Sequence, residues 1–219
     1  MSPDRLVVFA RAPILGAVKT RLVPPLSNEQ ALSLHRALVE DTLERLTPVG
    51  GNALERWLYL SGPLASQDAL EIPSAWTLAL QNGDDLGSRM ESAFRDALEE
   101  EESGKMVLLG SDSPTLPLEY VGQAFKELVD REVVLGPAED GGYYLVGCST
   151  FVPELFRDID WGTDRVLAQS KDALANANRE FTLLPTWYDV DSEKDLARLR
   201  TELKANVLPH LASTLAEIP

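Results

Sequence analysis

Residues Arg11 to Thr20-Arg21 put three cations (Arg11, Lys19 and Arg21), one glycine (Gly16) and a hydroxyl (Thr20) into a single short stretch. Guanidinium and ammonium groups in a loop of this kind can surround a diphosphate, with backbone amides and Thr20 adding donors. The stretch lacks the Gly-Lys-Ser/Thr of a Walker A loop and the Gly-x-Gly-x-x-Gly of a dinucleotide loop. The chain as a whole has the opposite sign. Its 20 basic and 35 acidic residues give a formal charge of −15. A positive cluster in so acidic a chain points to a small anionic ligand, and the overall charge argues against nucleic acid or anionic membranes as partners.

Five further clusters carry chemistry. In Gly110-Ser111-Asp112-Ser113-Pro114 the carboxylate can hold a divalent cation, Mg²⁺ or Mn²⁺, between nucleotide phosphates; the same residues also suit a plain turn. In Asp189-Val190-Asp191, alternation puts both acids on one side of an extended segment, where they can complete a metal site with Asp112. Alternatively, Asp191 or Ser192 caps the next helix. The segment from Gly136 through Glu139-Asp140-Gly141-Gly142 offers two acids to orient or deprotonate an acceptor hydroxyl, or forms a tight turn with solvated acids. Between Gln81 and Arg89, Asp85 or Ser88 can cap a helix. Arg89 would then oppose the helix dipole, which fits a ligand contact or a surface ion pair. Trp161-Gly162-Thr163 is the last cluster. The two histidines, His35 and His210, fall in amphipathic helical stretches far from these clusters, which excludes a His-rich zinc site and argues against a Ser-His-Asp triad. The single cysteine, Cys148, is expected in the core.

These groups need a scaffold. Apolar runs predict strands at Leu6–Ala10, Trp57–Leu60, Trp76–Leu80, Met106–Gly110, Val133–Gly136, Tyr143–Gly147 and Phe181–Leu184. Helical spacing predicts a helix capped by Ser27 and reaching about Leu46, with Gln30 completing a capping box. Others run from Leu86 to about Glu102, from Pro117 to about Asp130, over roughly 163–177, and over 192–218 with a break at Pro209. The alternation is that of an α/β fold with a mostly parallel sheet and helices on both faces. The strands near 133 and 143 lie so close that one is antiparallel or set apart. Most of the polar clusters follow a strand, where ligands of open α/β sheets bind. The 219 residues predict one domain. No apolar run approaches the ~20 residues of a membrane span, and the N-terminus carries no cleavage site, so a cytoplasmic location is expected.

The set of motifs resembles the glycosyltransferase-like family associated with radical-SAM and selenodomain proteins, also labelled arsenosugar-biosynthesis glycosyltransferases. The matching pieces are Ala12-Pro13 through Gly16, Val18 to Leu22, Gln81 to Met90 without Ser88, Gly110 to Pro114, Leu135 to Leu145, Trp161-Gly162-Thr163 and Asp189-Val190-Asp191. The resemblance covers residues 5 to 200. It implies a GT-A fold, that of the nucleotide-diphospho-sugar transferases, and kinship with nucleotidyltransferases. Where that superfamily usually carries Asp-x-Asp, Ser111-Asp112-Ser113 supplies one acid, so Asp189 or Asp191 would have to contribute.

The expected activity is sugar transfer from a nucleotide-diphospho-sugar to a small acceptor. Arg11, Gly16, Lys19, Thr20, Arg21, Gln81, Arg89, Ser111, Gly141, Gly142, Trp161 and Thr163 would bind nucleotide or substrate. Asp112, Asp189 and Asp191 would hold Mg²⁺ or Mn²⁺. Asp112, Asp140 and Glu139 would serve catalysis. The alternatives are nucleotidyl transfer with release of pyrophosphate, and a nucleotide-binding module without catalysis. Leu208, Leu211 and Leu215 suit either the core or a dimer face.

Overall fold

The computed structural model describes residues 3–64, 70–100, 104–203 and 208–218. Seven strands form one sheet: β1 (Asp4–Ala10), β2 (Leu54–Leu60), β3 (Trp76–Leu80), β4 (Met106–Gly110), β5 (Val133–Pro137), β6 (Tyr143–Cys148) and β7 (Phe181–Leu183). Their spatial order is β3-β2-β1-β4-β6-β5-β7. All pairings are parallel except those of β6, which runs against both β4 and β5. The close pair near 133 and 143 thus resolves as a hairpin with β6 reversed.

The continuous apolar runs of β1 (from Leu6), β4, β5 and β6 follow from burial on both faces. Along β1, Leu6, Val8 and Ala10 point into one core layer, and Val7 and Phe9 into the other. The first layer is covered by α1 (Asn28–Leu46) and α3 (Leu118–Glu127), through Val39, Leu43, Val121 and Ala124. The second is covered by α2 (Leu86–Arg95) and α4 (Val166–Asn176), through Met90, Phe94 and Leu174. Helices on both faces of the sheet give the three-layer α/β architecture. Cys148 is fully buried in the second layer, as expected.

Local chemistry sets the helix ends. Ser27 accepts from the Gln30 amide, and Gln30 returns the bond to the Ser27 N–H, so the expected capping box is present. Asp85 and Ser88 form a second box at α2, and Ser192 and Asp195 a third at α5 (Glu193–Glu202). Ser192 is therefore the cap, and Asp191 is left for other partners. Helix α2 ends at Arg95 and continues as a single π turn, Asp96–Glu100; the end of the expected helix lies outside the described residues. The expected break at Pro209 is the start of α6 (Pro209–Glu217).

Helix α6 settles the choice for Leu211 and Leu215. With Leu208 they pack against Leu34 and Leu38 of α1 and Leu199 of α5. Burying each leucine contributes about 1.5–3 kcal/mol. The buried Asp41 of α1 accepts from the α6 amides of His210 (3.2 Å) and Leu211 (2.8 Å). The His210 ring meets Glu40 at 3.3 Å and Glu44 at 3.1 Å. No helix among the described residues is long and apolar enough to cross a membrane.

Candidate functional site

The parallel strands all end at one edge of the sheet. Because β6 is reversed, its first residues arrive there too. Strand β1 lies between β2 and β4, and the chain leads from β1 to β2 on one side and from β4 to β5 on the other, the reversal of strand order at which such folds bind ligands. A cleft of about 750 Å³ occupies this position, large enough for a nucleotide-sized molecule.

Lys19 is part of its lining. The backbone there is left-handed (φ 46°, ψ 36°) and opens a 3₁₀ turn, Thr20–Leu22. The side chain is only 4% exposed. Its Nζ lies 2.8 Å from Asp112 Oδ1, 3.0 Å from Asp191 Oδ1 and 2.8 Å from the Val190 carbonyl oxygen. The Val190 N–H donates to the Asp112 carbonyl oxygen at 2.8 Å, which ties the segment after β4 to the one after β7. Burial opposes the Lys19 charge, but Asp112 and Asp191 outweigh it and raise the Lys19 pKa. Burial likewise works against the Asp112 carboxylate, yet Lys19, then His35 and Arg11, hold it below the usual carboxylate range. Arg21 approaches Asp191 at 3.7 Å and is largely exposed.

Asp189 is in a different state. The Ser113 hydroxyl donates to it. Burial pushes its carboxyl up to about 7 against that bond, and Asp112, Asp140 and Asp191 add to the rise. Of these three acids, Asp112 and Asp191 thus pair with Lys19, whereas Asp189 is held by Ser113.

The other wall is built from the β5–β6 turn and the segment before α4. The Gly142 N–H donates to Asp140 Oδ1 at 2.9 Å, which fixes Asp140 at the cleft. Gly141 has φ +90°, and a Cβ there would overlap the Asp164 backbone. Trp161 stands edge-on to Tyr143, with ring centroids 6.1 Å apart, and fits against Gly87 because that residue has no side chain. The Thr163 hydroxyl donates to the Asp160 carbonyl oxygen at 2.8 Å. On the far side, Gln81 Nε2 donates to the carbonyl oxygens of Ala10 (3.1 Å) and Tyr59 (3.0 Å), and Arg89 Nε to that of Gly83 (2.9 Å).

Of the residues singled out in the sequence, Arg11, Lys19, Thr20, Arg21, Gln81, Arg89, Ser111, Asp112, Asp140, Gly142, Trp161, Thr163, Asp189 and Asp191 line this one cleft. Gly16, Glu139 and Gly141 are not among its lining residues. Gly16 turns the exposed loop at φ +75°, and Glu139 pairs with Arg198 at 2.9 Å. The expectation that both histidines lie far from the clusters fails for His35. It is buried at the cleft, with Nε2 donating to the Arg11 carbonyl oxygen at 3.0 Å, and burial holds its pKa below the ordinary value. Its helical setting gave no sign of this, because α1 reaches the cleft through packing between distant segments.

The family model described as "uncharacterized protein conserved in bacteria (DUF2064)" matches residues 47–163. The chain belongs to this DUF2064 family. A solved "putative nucleotide-diphospho-sugar transferase" from Desulfovibrio desulfuricans G20 is 33% identical; the alignment covers 99% of this chain and 95% of that one, with a TM-score of 0.88. The chain thus shares the GT-A-like fold expected from its motifs. A CMP:2-keto-3-deoxy-manno-octonic acid synthetase complexed with CTP shares the fold at 14% identity and TM-score 0.59, covering 94% of this chain and all of that one. So does a 4-diphosphocytidyl-2C-methyl-D-erythritol synthase from Anaerococcus prevotii DSM 20548, at 9% identity and TM-score 0.57, covering 93% of this chain and 96% of that one. No curated protein sequence matches the chain.

Among the described residues, a group compact enough to share an ion is formed by two carboxylates and an imidazole, Asp41, Glu44 and His210, at the junction of α1 and α6. In the cleft, Asp112, Asp189 and Asp191 carry hard oxygen donors of the kind Mg²⁺ and Mn²⁺ take, but unlike that group the three expected ligands do not all converge within 4.8 Å of one another. Two of them already share the Lys19 ammonium.

Proposed function

We propose that this chain is a transferase that binds a nucleotide-diphospho-sugar in the cleft at the β1/β4 crevice and passes the sugar to a small acceptor. The observation that carries this reading is the meeting of Arg11, Lys19 and Arg21 with Asp112, Asp189, Asp191 and Asp140 in one cleft. The first three face a diphosphate and offset the charge that grows on it as it leaves. Asp140, held by the Gly142 amide, orients the acceptor hydroxyl and takes its proton. The bond from the sugar C1 to the diphosphate oxygen breaks, and a bond from C1 to the acceptor oxygen forms. Asp112, with Asp191 or Asp189, would hold Mg²⁺ or Mn²⁺, which supplies further stabilisation of charge on the phosphates. The cytoplasm is the location proposed for this activity.

The same residues suit nucleotidyl transfer, in which a phosphorylated substrate attacks an NTP and pyrophosphate leaves. The fold shared with a CTP-bound synthetase favours keeping this second reading.

A thermal-shift panel of nucleoside mono-, di- and triphosphates and sugar nucleotides, each with and without Mn²⁺, tests the proposal. A ligand at 100 times its dissociation constant adds about 2.7 kcal/mol, which for a chain of this size is a rise of roughly 5–11 °C. Stabilisation by a sugar nucleotide, followed by release of a nucleoside diphosphate in the presence of acceptors, is the expected result. Release of pyrophosphate from an NTP would replace it with nucleotidyl transfer. A panel without any shift would refute both.

A further inference from the structure

Lys19 occupies the place that a cation would take between the acids of the cleft. Its three ammonium protons face three oxygens: Asp112 Oδ1 at 2.8 Å, Asp191 Oδ1 at 3.0 Å and the Val190 carbonyl at 2.8 Å. The side chain is 4% exposed, so water does little to screen it. An ion at about 2.1 Å from Asp112 Oδ1 would lie within about 5 Å of an ammonium that stays at 2.8 Å from the same oxygen. Two cations that close, competing for the same oxygens, repel and so disfavour one another.

We propose that Lys19 is a resident stand-in for the divalent ion, and that the ion enters only together with a diphosphate that draws Lys19 away from Asp112 and Asp191. The inference rests on the reading of the cleft as a diphosphate site. The stand-in has somewhere to go. Lys19 hangs from a loop by an unbranched four-carbon stem, and Arg11 and Arg21 line the same cleft, so an arriving diphosphate meets all three cations. With Lys19 on phosphate oxygens, both carboxylates are open to the metal, which can then bridge protein and phosphate. Without the diphosphate, removing Lys19 from its partners would strand a buried charge, and metal alone would have to do that. The cleft is thereby protected from taking up a bare ion, and binding of metal and diphosphate becomes mutually dependent.

Equilibrium dialysis against Mn²⁺ tests this directly, with inorganic pyrophosphate as a probe free of base and sugar. The wild type should bind Mn²⁺ alone at least about tenfold more weakly than Lys19→Met and Lys19→Gln do. Pyrophosphate should raise Mn²⁺ retention by the wild type by a similar factor, whereas the Lys19 variants already retain it. Asp112→Asn in the Lys19→Met background should abolish that uptake. Arg21→Met removes an equal charge near Asp191 without vacating the site, so its affinity for Mn²⁺ alone should stay within about threefold of wild type; a rise equal to that of Lys19→Met would reduce the effect to net charge and overturn the proposal. Wild type that binds Mn²⁺ equally well with and without pyrophosphate overturns it too, even if neither Lys19 variant folds. These outcomes leave the sugar-transfer reading untouched, since that reading falls if no nucleotide or sugar nucleotide stabilises the wild type, or if pyrophosphate is the product released.

Discussion

Gly141 turns the chain between β5 and β6 at φ +90°, with its carbonyl oxygen accepting from the Leu167 N–H at 2.9 Å. Alanine at this position meets two separate obstacles. Left-handed backbone costs a residue with a Cβ about 1–2 kcal/mol. The new methyl would also overlap the carbonyl oxygen of Asp164, a backbone atom that cannot swing aside as a side chain can. Forced overpacking of that kind adds about 1–3 kcal/mol. The total of about 2–5 kcal/mol lowers the melting temperature of a domain of this size by roughly 4–20 °C. The β5–β6 turn and the segment carrying Trp161 and Thr163 must separate, so the cleft between them should widen and ligand affinity should fall. Gly142→Ala is the internal control, one residue away. Its Cβ would meet only the Asp140 carboxylate, at 3.2 Å, and its φ is not in the left-handed region. Differential scanning calorimetry of both variants decides the matter. Gly141→Ala melting with the wild type, or Gly142→Ala falling as far as Gly141→Ala, would refute this account of the turn.

Gly87→Ala should push the Trp161 ring off its seat, red-shift tryptophan emission and weaken ligand binding while α2 persists by circular dichroism. The junction of α1 and α6 should weaken as pH rises. Burial lowers the His210 pKa, but Glu44, Glu40 and Asp41 raise it more, so the stabilisation is complete below about 6.5 and is lost as pH climbs through the raised value. Asp41 and Glu40, raised chiefly by burial, act in the same sense above the ordinary carboxylate range. Melting temperatures at pH 6 and pH 8 should therefore differ more for wild type than for His210→Gln. Burial pushes the Cys148 thiol up, so it should react with a thiol reagent only at the rate of unfolding.

The strands were readable because the central ones are buried on both faces and therefore continuously apolar; β4 and β6 show this most plainly. The capping box at Ser27 is a local exchange between residues three apart, and sequence reveals such exchanges directly. The loop after β1 stood out because its sign opposes the rest of the chain. Three features were hidden for a common reason: each depends on which distant segments meet. Lys19 joins Asp112 to Asp191 across residues far apart in sequence. His35 reaches the cleft only because α1 packs under the loop that begins at Arg11. Glu139 and Asp140 are adjacent, yet one faces Arg198 and the other the cleft, a choice made by the turn and by α5. Helix α6 was legible as amphipathic, but its partner α1 was not, since the apolar face alone does not name what covers it.

The reversal of β6 makes the two jaws of the cleft mechanically unequal. Asp140 hangs from a five-residue turn, 138–142, whose two ends are hydrogen-bonded strand. Arg11, Lys19 and Arg21 hang from the seventeen residues, 11–27, that separate β1 from α1. One jaw is tied to the sheet at both ends; the other is tied to it at one end and has more chain between its anchors. The stiff jaw is the one assigned to the acceptor and the compliant jaw the one assigned to the diphosphate. Amide exchange should accordingly be slow at 143–146 and faster along 14–21, and a bound diphosphate should slow the second segment far more than the first.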